Sequence, residues 1–416
     1  MRSNIFLSGL HHTTTLHLFL VLSVWVPLLA PRLTHGQTYN VLYSFKRPTG
    51  DGIVPIALLP QANGILYGGT CYGGGSYNGI AFRLSPKGKE TVLYNFLAGY
   101  GSCPNSLLPW KGEFYGATSE GGAHAAGAFF KLDKKGNESV LYSFSGPRYA
   151  NVPGLSFGDG NGVFYGTTFA GGLYGWGTIF QVDTAGKERV LYSFTGGSDG
   201  KHPFGLVRDD EGNIYGTTGY GGDPTCSQPN DACGTLFKLD AAGKLTTLHM
   251  FNGAPDGASP STSLVRDASG NLYGATGGGG DTSCAPPWGC GTVFMVDASG
   301  HERLLYSFTG AADGAAPQGN LLRDNSGNLY GTANLGGDTN CGVYYVKGCG
   351  VVFKLDTTGK ETVLHTFTSS PDGAYPELLI LNPAGDLYGT TFAGGDANCI
   401  ILHYWQGCGT VFKLTP

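Results

Sequence analysis

An all-β, seven-bladed β-propeller of four-stranded antiparallel blades is the fold class this sequence predicts, on three observations. Short sequence words recur seven times along the chain, and self-similarity at a period of roughly 40 to 50 residues marks propellers and arrays. Turn formers are abundant, with 71 Gly and 22 Pro in 416 residues, and the words between them carry the β-branched and aromatic residues of strands. The order of the words is circularly shifted, so that the first word completes the last unit.

The first word, residues 41–45, is of the type Val-Leu-Tyr-Ser-Phe and ends at Phe45. It returns ending at Phe96, Phe144, Phe194, Phe251, Phe308 and Phe367, and is the last strand, D, of a unit. A shorter segment follows, seen in residues 203–209, and predicts strand A. After a turn such as Gly212-Asn213 comes strand B, Leu-Tyr-Gly-Thr-Thr or a variant, with Tyr67, Tyr115, Tyr165, Tyr215, Tyr273, Tyr330 and Tyr388. Strand C reads Gly-x-x-Phe-x-(Leu or Val), with Phe82, Phe130, Phe180, Phe237, Phe294, Phe353 and Phe412. The chain opens on a D strand and stops at a C strand, residues 411–414, so seven complete blades result only if these two pair. That pairing hides two open edges. It also ties the chain ends together, so the ring is expected to unfold cooperatively.

Ahead of the repeats, Arg2, an apolar-rich run over residues 16–30 and the small residues Thr34 and Gly36 predict a secretory signal peptide, residues 1–36. Its 15-residue run is shorter than the roughly 20 residues of a membrane span. Residues 37–416 are expected to form a single domain, monomeric and without a membrane span. Removing the leader leaves 23 basic against 30 acidic residues, a net charge of about −7, which argues against nucleic acid as a partner.

The composite phrase Gly-Asn-Leu-Tyr-Gly-Thr-Thr, Gly-Gly, Gly-Thr-Val-Phe-Lys-Leu, Val-Leu-Tyr-Ser-Phe resembles the bacterial GloVer-type tandem-repeat proteins across essentially all of residues 37–416. The resemblance implies an exported surface or extracellular repeat protein. In relatives one of several anchoring domains often follows, and none is expected here. The family supplies no catalytic residue to carry over.

Within this framework the loops differ on one face only. The B–C connections contain 8, 8 and 8 residues in blades 1 to 3, but 15, 14, 16 and 17 in blades 4 to 7. Each long loop holds one cysteine pair: Cys226 with Cys233, Cys284 with Cys290, Cys341 with Cys349, and Cys399 with Cys408. The remaining Cys71 and Cys103 lie on the same face of neighbouring units, so five disulfides are expected, as suits an exported chain. Aromatic residues favour the loops of this face: Trp176, Trp288 and Trp405, with Tyr174, Tyr345 and Tyr404, and the two face histidines His202 and His403. Exposed rings suit the apolar faces of sugars and equally a partner protein, although each Trp could instead fold back as a lid over its own loop.

Other motifs have plainer readings. Asp223, Asp281, Asp338 and Asp396, and the Asp-Gly steps at Asp51, Asp199, Asp256, Asp313 and Asp372, could hold calcium. Asx-turns account for them at less cost, and no metal or other cofactor is expected. In blades 2 and 3 the Asp-Gly position is occupied by Tyr100 and Tyr149. The string Gly154-Leu155-Ser156-Phe157-Gly158 matches a nucleophile elbow but aligns with strand A, where the required strand-to-helix turn has no place. His249 and His365 replace the strand-D Tyr and read as structural. The function expected is a secreted, non-catalytic binding protein that engages an extracellular glycan or protein through the loops of blades 4 to 7. A carbohydrate-active lyase or glycosidase and a ligand-free surface protein are the competing readings.

Overall fold

The computed structural model describes residues 37–416 except 47–49, 62, 98, 100, 134, 147–152, 227, 342–346 and 402–404. The leader expected over residues 1–36 therefore lies outside the described residues, as do Tyr100 and Tyr149. Seven sheets follow one another along the chain as blades, five of four antiparallel strands and two in which pieces of the blade 5 strand A add a fifth strand. Blade 4 is representative: strand A Lys201–Arg208, B Ile214–Tyr220, C Thr235–Leu239 and D Leu245–Met250, paired in sequence order.

The seventh blade has the order that the shifted words demand. Its strands A (Ala374–Leu381), B (Leu387–Ala393) and C (Thr410–Thr415) are completed by the N-terminal strand Thr38–Ser44. The register runs antiparallel from Thr38 opposite Thr415 to Ser44 opposite Thr410. Tyr39 extends the clasp to blade 6: its ring stacks on His365 at 3.6 Å, and its hydroxyl donates to the Asp372 carbonyl at 3.1 Å.

Two words of the repeat make the blade junctions. The strand-C Phe and strand-D Phe are buried in every blade. Each strand-D Phe meets the strand-C Phe of the next blade edge-to-face, from Phe45–Phe82 through Phe194–Phe237 to Phe367–Phe412, with centroids 5.0 to 5.4 Å apart. This is the favoured geometry for ring quadrupoles. The same Phe explains the glycine after the strand-B Tyr. A Cβ on Gly216 would lie 2.6 Å from Phe237 Cζ, so a side chain there would displace the ring that joins the blades.

Strand A is less regular than its word suggests. In blade 5 it breaks into Ala258–Pro260, Thr262–Ser263 and Val265–Arg266, and the middle piece pairs in parallel with strand A of blade 6, Ala315–Arg323. Elsewhere side chains replace this pairing around the axis. Ser106 Oγ accepts from Leu155 N, and Ser156 Oγ from Leu206 N, at 3.1 and 3.0 Å. Ser156 of the elbow-like string is thus an inter-blade hydrogen-bond acceptor on strand A, Pro153–Gly158.

Candidate binding face

The B–C and D–A connections meet on one face through a backbone device repeated around the ring. The residue before the strand-A proline is left-handed in six blades: Val54, Cys103, His202, Ser259, Ala316 and Tyr375 have φ between 51° and 61°. This conformation costs a non-glycine residue about 1 kcal/mol or more. It turns each N–H onto a B–C loop carbonyl of the preceding blade, as in His202 N to Trp176 O at 2.9 Å and Ser259 N to Cys233 O at 2.9 Å. Recurring at six junctions, it is a property of the architecture.

What varies is the side chain carried there and the strand-B residue that it meets. At the first junction these are Cys103 and Cys71, joined by a disulfide. At the third they are His202 and Phe169, whose rings stack at 4.0 Å and 12°. An aromatic pair occupies the place of a covalent one. Around it Trp176 and Tyr220 stand edge-on to His202 at 5.7 and 5.4 Å, and Lys201 Nζ lies 4.9 Å over the Trp176 ring. Trp176 keeps 39% of its surface exposed. Its ring rests on the backbone of Gly196, where a Cβ would come within 2.6 Å of it.

His202 Nδ1 lies 2.7 Å from the Phe169 carbonyl oxygen, and it donates there in the tautomer that makes this bond. Burial lowers its pKa, outweighing the opposing Phe169 bond, and the Lys201 charge adds a smaller push in the same direction as burial. The imidazole is therefore neutral near pH 7. Lys201 is itself paired with Asp231 at 3.6 Å.

Tyr220 also lines a cavity of about 290 Å³ formed by the loops of blades 4, 5 and 6, together with Gln228, Ser261, Trp288, Ala316 and Gln318. The long loops brace one another here, the buried Gln228 donating to the Pro287 carbonyl at 3.3 Å. Of the residues singled out from sequence, Trp176 and His202 are thus in contact, and Trp288 sits in the adjoining cavity. Tyr174, 54% exposed, lies instead near Tyr192. Trp405 pairs through its backbone with Ile401 in a short hairpin inside the blade 7 loop; its side chain and those of Tyr345, His403 and Tyr404 lie outside the described residues. Phe169, Tyr220 and Lys201 were not singled out from the sequence. Aligning the seven strand-B words would have found Phe169, since it fills the column of Cys71.

The ten cysteines form five disulfides, Cys71–Cys103, Cys226–Cys233, Cys284–Cys290, Cys341–Cys349 and Cys399–Cys408. Such a complement belongs to an oxidising, extracytoplasmic compartment. No described helix is long and apolar enough to cross a membrane. The repeated aspartates act within turns. Asp223, Asp281, Asp338 and Asp396 each accept from the N–H two residues on, which is the Asx-turn. The Asp-Gly carboxylates take the hydroxyl or imidazole of the preceding strand D, as in Tyr192–Asp199 at 3.1 Å and His249–Asp256 at 3.1 Å. Asp199 accepts in addition from Thr195 N and Thr195 Oγ1.

A closed ring of seven blades whose one face is built from disulfide-tied loops defines the class: a disulfide-braced, extracytoplasmic β-propeller. The Gloeobacter/Verrucomicrobia repeat model matches residues 31–153, 105–345 and 289–416, and the chain belongs to that family. No curated protein matches it. Among solved structures it is similar to virginiamycin B lyase from Staphylococcus aureus, at 13% identity and a TM-score of 0.59 over 91% of this chain and 99% of that one. It is also similar to the extracellular domain of a hybrid two component system from Bacteroides thetaiotaomicron, at 13% identity and a TM-score of 0.55 over 91% of this chain and 41% of that one. Both likenesses are of fold alone.

Proposed function

We propose that this chain is an exported, non-catalytic binding protein that engages an extracellular glycan or protein through its B–C and D–A loops. One observation carries the reading: Tyr220 belongs both to the aromatic cluster of Phe169, Trp176 and His202 and to the cavity holding Trp288. Two tryptophans therefore share one continuous, partly apolar surface across blades 3 to 6. Rings of this kind, fixed on a rigid scaffold, are the usual anchors of recognition. Acid–base chemistry finds less support, because His202 is held among rings and a carbonyl, and no described carboxylate bonds to it.

The test is a binding screen of the secreted protein against arrayed extracellular glycans and cell-surface proteins, followed by Trp176→Ala and Trp288→Ala. Loss of a true anchor should weaken the captured interaction about 30-fold, equivalent to about 2 kcal/mol, with an unchanged thermal midpoint. If both variants lose stability and keep full affinity, the rings are lids over their own loops and the reading fails.

A further inference from the structure

The opposite face, made of A–B and C–D turns, carries charges that the regularity of the repeat conceals. Strand A of blades 4, 5 and 6 ends in an arginine: Arg208, Arg266 and Arg323. Each guanidinium lies over the strand-B tyrosine of the preceding blade, Tyr165, Tyr215 and Tyr273, at 5.5, 6.0 and 5.5 Å. Taken alone, this is a cation–π strap across a blade junction.

At two of the three junctions a second arginine joins the first. Strand D of blade 3, Glu188–Ser193, contributes Arg189 to a groove of about 200 Å³ shared with Arg208. Strand D of blade 5, Glu302–Ser307, contributes Arg303 to a groove of about 210 Å³ shared with Arg323. At the junction between them, the same register position of strand D is Thr246.

The two grooves are built alike. Tyr165, Ile214 and Leu239 line one, and Tyr273, Leu329 and Leu355 the other. Each is rimmed by a C–D turn, residues 240–243 or 356–359. The rim carboxylates are engaged in their own turns. Asp240 Oδ1 accepts from Ala242 N and Lys244 N, and Asp356 Oδ1 from Thr358 N, Thr358 Oγ1 and Lys360 N. None of the ion pairs among the described residues contains an arginine. Arg323 Nε, like Arg266 Nε, is shut off from solvent without a hydrogen-bond partner. Four guanidiniums therefore stand in pairs with no carboxylate at salt-bridge distance among the described residues, on a chain whose net charge is −5.

We propose that the grooves at the 3/4 and 5/6 junctions are a matched pair of sites for an oxyanion-bearing ligand, a carboxylate, sulfate or phosphate group. Two planar guanidinium forks can grip such a group bidentately. The stacked tyrosine holds one fork in place, and the apolar floor accommodates the ring or chain that bears the anion.

The intact protein is titrated by calorimetry with sodium sulfate, sodium phosphate and trigalacturonate. Two saturable sites per chain are expected. R303Q and R189Q should each weaken one site about tenfold or more and leave the other intact, while R266Q leaves both. T246R should create a third site at the 4/5 junction. All four positions lie on or near the surface, and thermal midpoints check that each variant is folded. Equal affinity for the inorganic ions and the uronate assigns free oxyanions as the ligand, and preference for trigalacturonate assigns an acidic sugar. The proposal is overturned if no probe binds saturably, if R189Q with R303Q leaves binding unchanged, or if R266Q alone abolishes it.

Discussion

Glu90 and Glu361 begin strand D of blades 1 and 6, and each has one carboxylate oxygen buried without a hydrogen-bond partner. Burial first, then the charge of Asp51 or Asp313 across the blade junction, raises each carboxyl to about 7. Those aspartates are fixed as neighbours because they accept from Tyr43 and Tyr306. A folded pKa above the ordinary value of 4.5 means that the folded state holds the proton more tightly. The associated stability is complete below about 4.5 and is lost as the pH rises through about 7. Glu90→Gln and Glu361→Gln should therefore raise the melting temperature by a few degrees near pH 8 and leave it almost unchanged near pH 4. The pair is partly solvated, so the effect is much smaller than full burial would give. Melting curves across this range decide the matter, and a variant that gains equally at both ends would remove carboxyl titration as the cause.

The disulfides act on the scale of loops and strands. Cys226–Cys233, Cys284–Cys290, Cys341–Cys349 and Cys399–Cys408 span 7, 6, 8 and 9 residues. On the chain-entropy account each contributes about 2 to 3 kcal/mol. Cys71–Cys103 closes 32 residues and joins strand B of blade 1, Leu66–Gly73, to strand A of blade 2, Ser102–Trp110. It should contribute about 3.5 to 4 kcal/mol by the same account. Denaturant titrations of the double serine variants should accordingly place C71S/C103S below C226S/C233S in stability. The reverse order would mean that local strain or denatured-state structure outweighs loop length.

At the scale of the molecule, closure is the controlling feature. The N-terminal strand hydrogen-bonds to the last C strand, packs Phe45 against Phe82 of blade 1 and stacks Tyr39 on blade 6. Deleting residues 37–46 removes all three contacts and bares the edge of Thr410–Thr415, a template for intermolecular pairing. The truncated protein is expected to aggregate or to melt many degrees lower in a broadened transition, as an opened array of blades would. A monomeric truncation with the parent's midpoint would disprove closure as the source of cooperativity.

The ring, its blade count and its closure were legible in the sequence because they depend on local words. An alternation of apolar residues, a Gly beside a Phe and a turn residue between strands each act within one blade, and repetition does the rest. The Asx-turn role of Asp223 and its counterparts was readable for the same reason, since their partners lie two residues away. The relations between blades were not. Nothing local indicates that His202 takes a left-handed backbone and stacks on Phe169, 33 positions earlier, or that Arg303 and Arg323 meet in one groove. The break in strand A of blade 5 was equally hidden, because its middle piece pairs in parallel with strand A of blade 6, a partner more than 50 positions away. The sequence by itself determined the units and their order. Only the tertiary structure decided which side chains meet between units, because those contacts join residues from adjacent blades and depend on how the blades are set side by side.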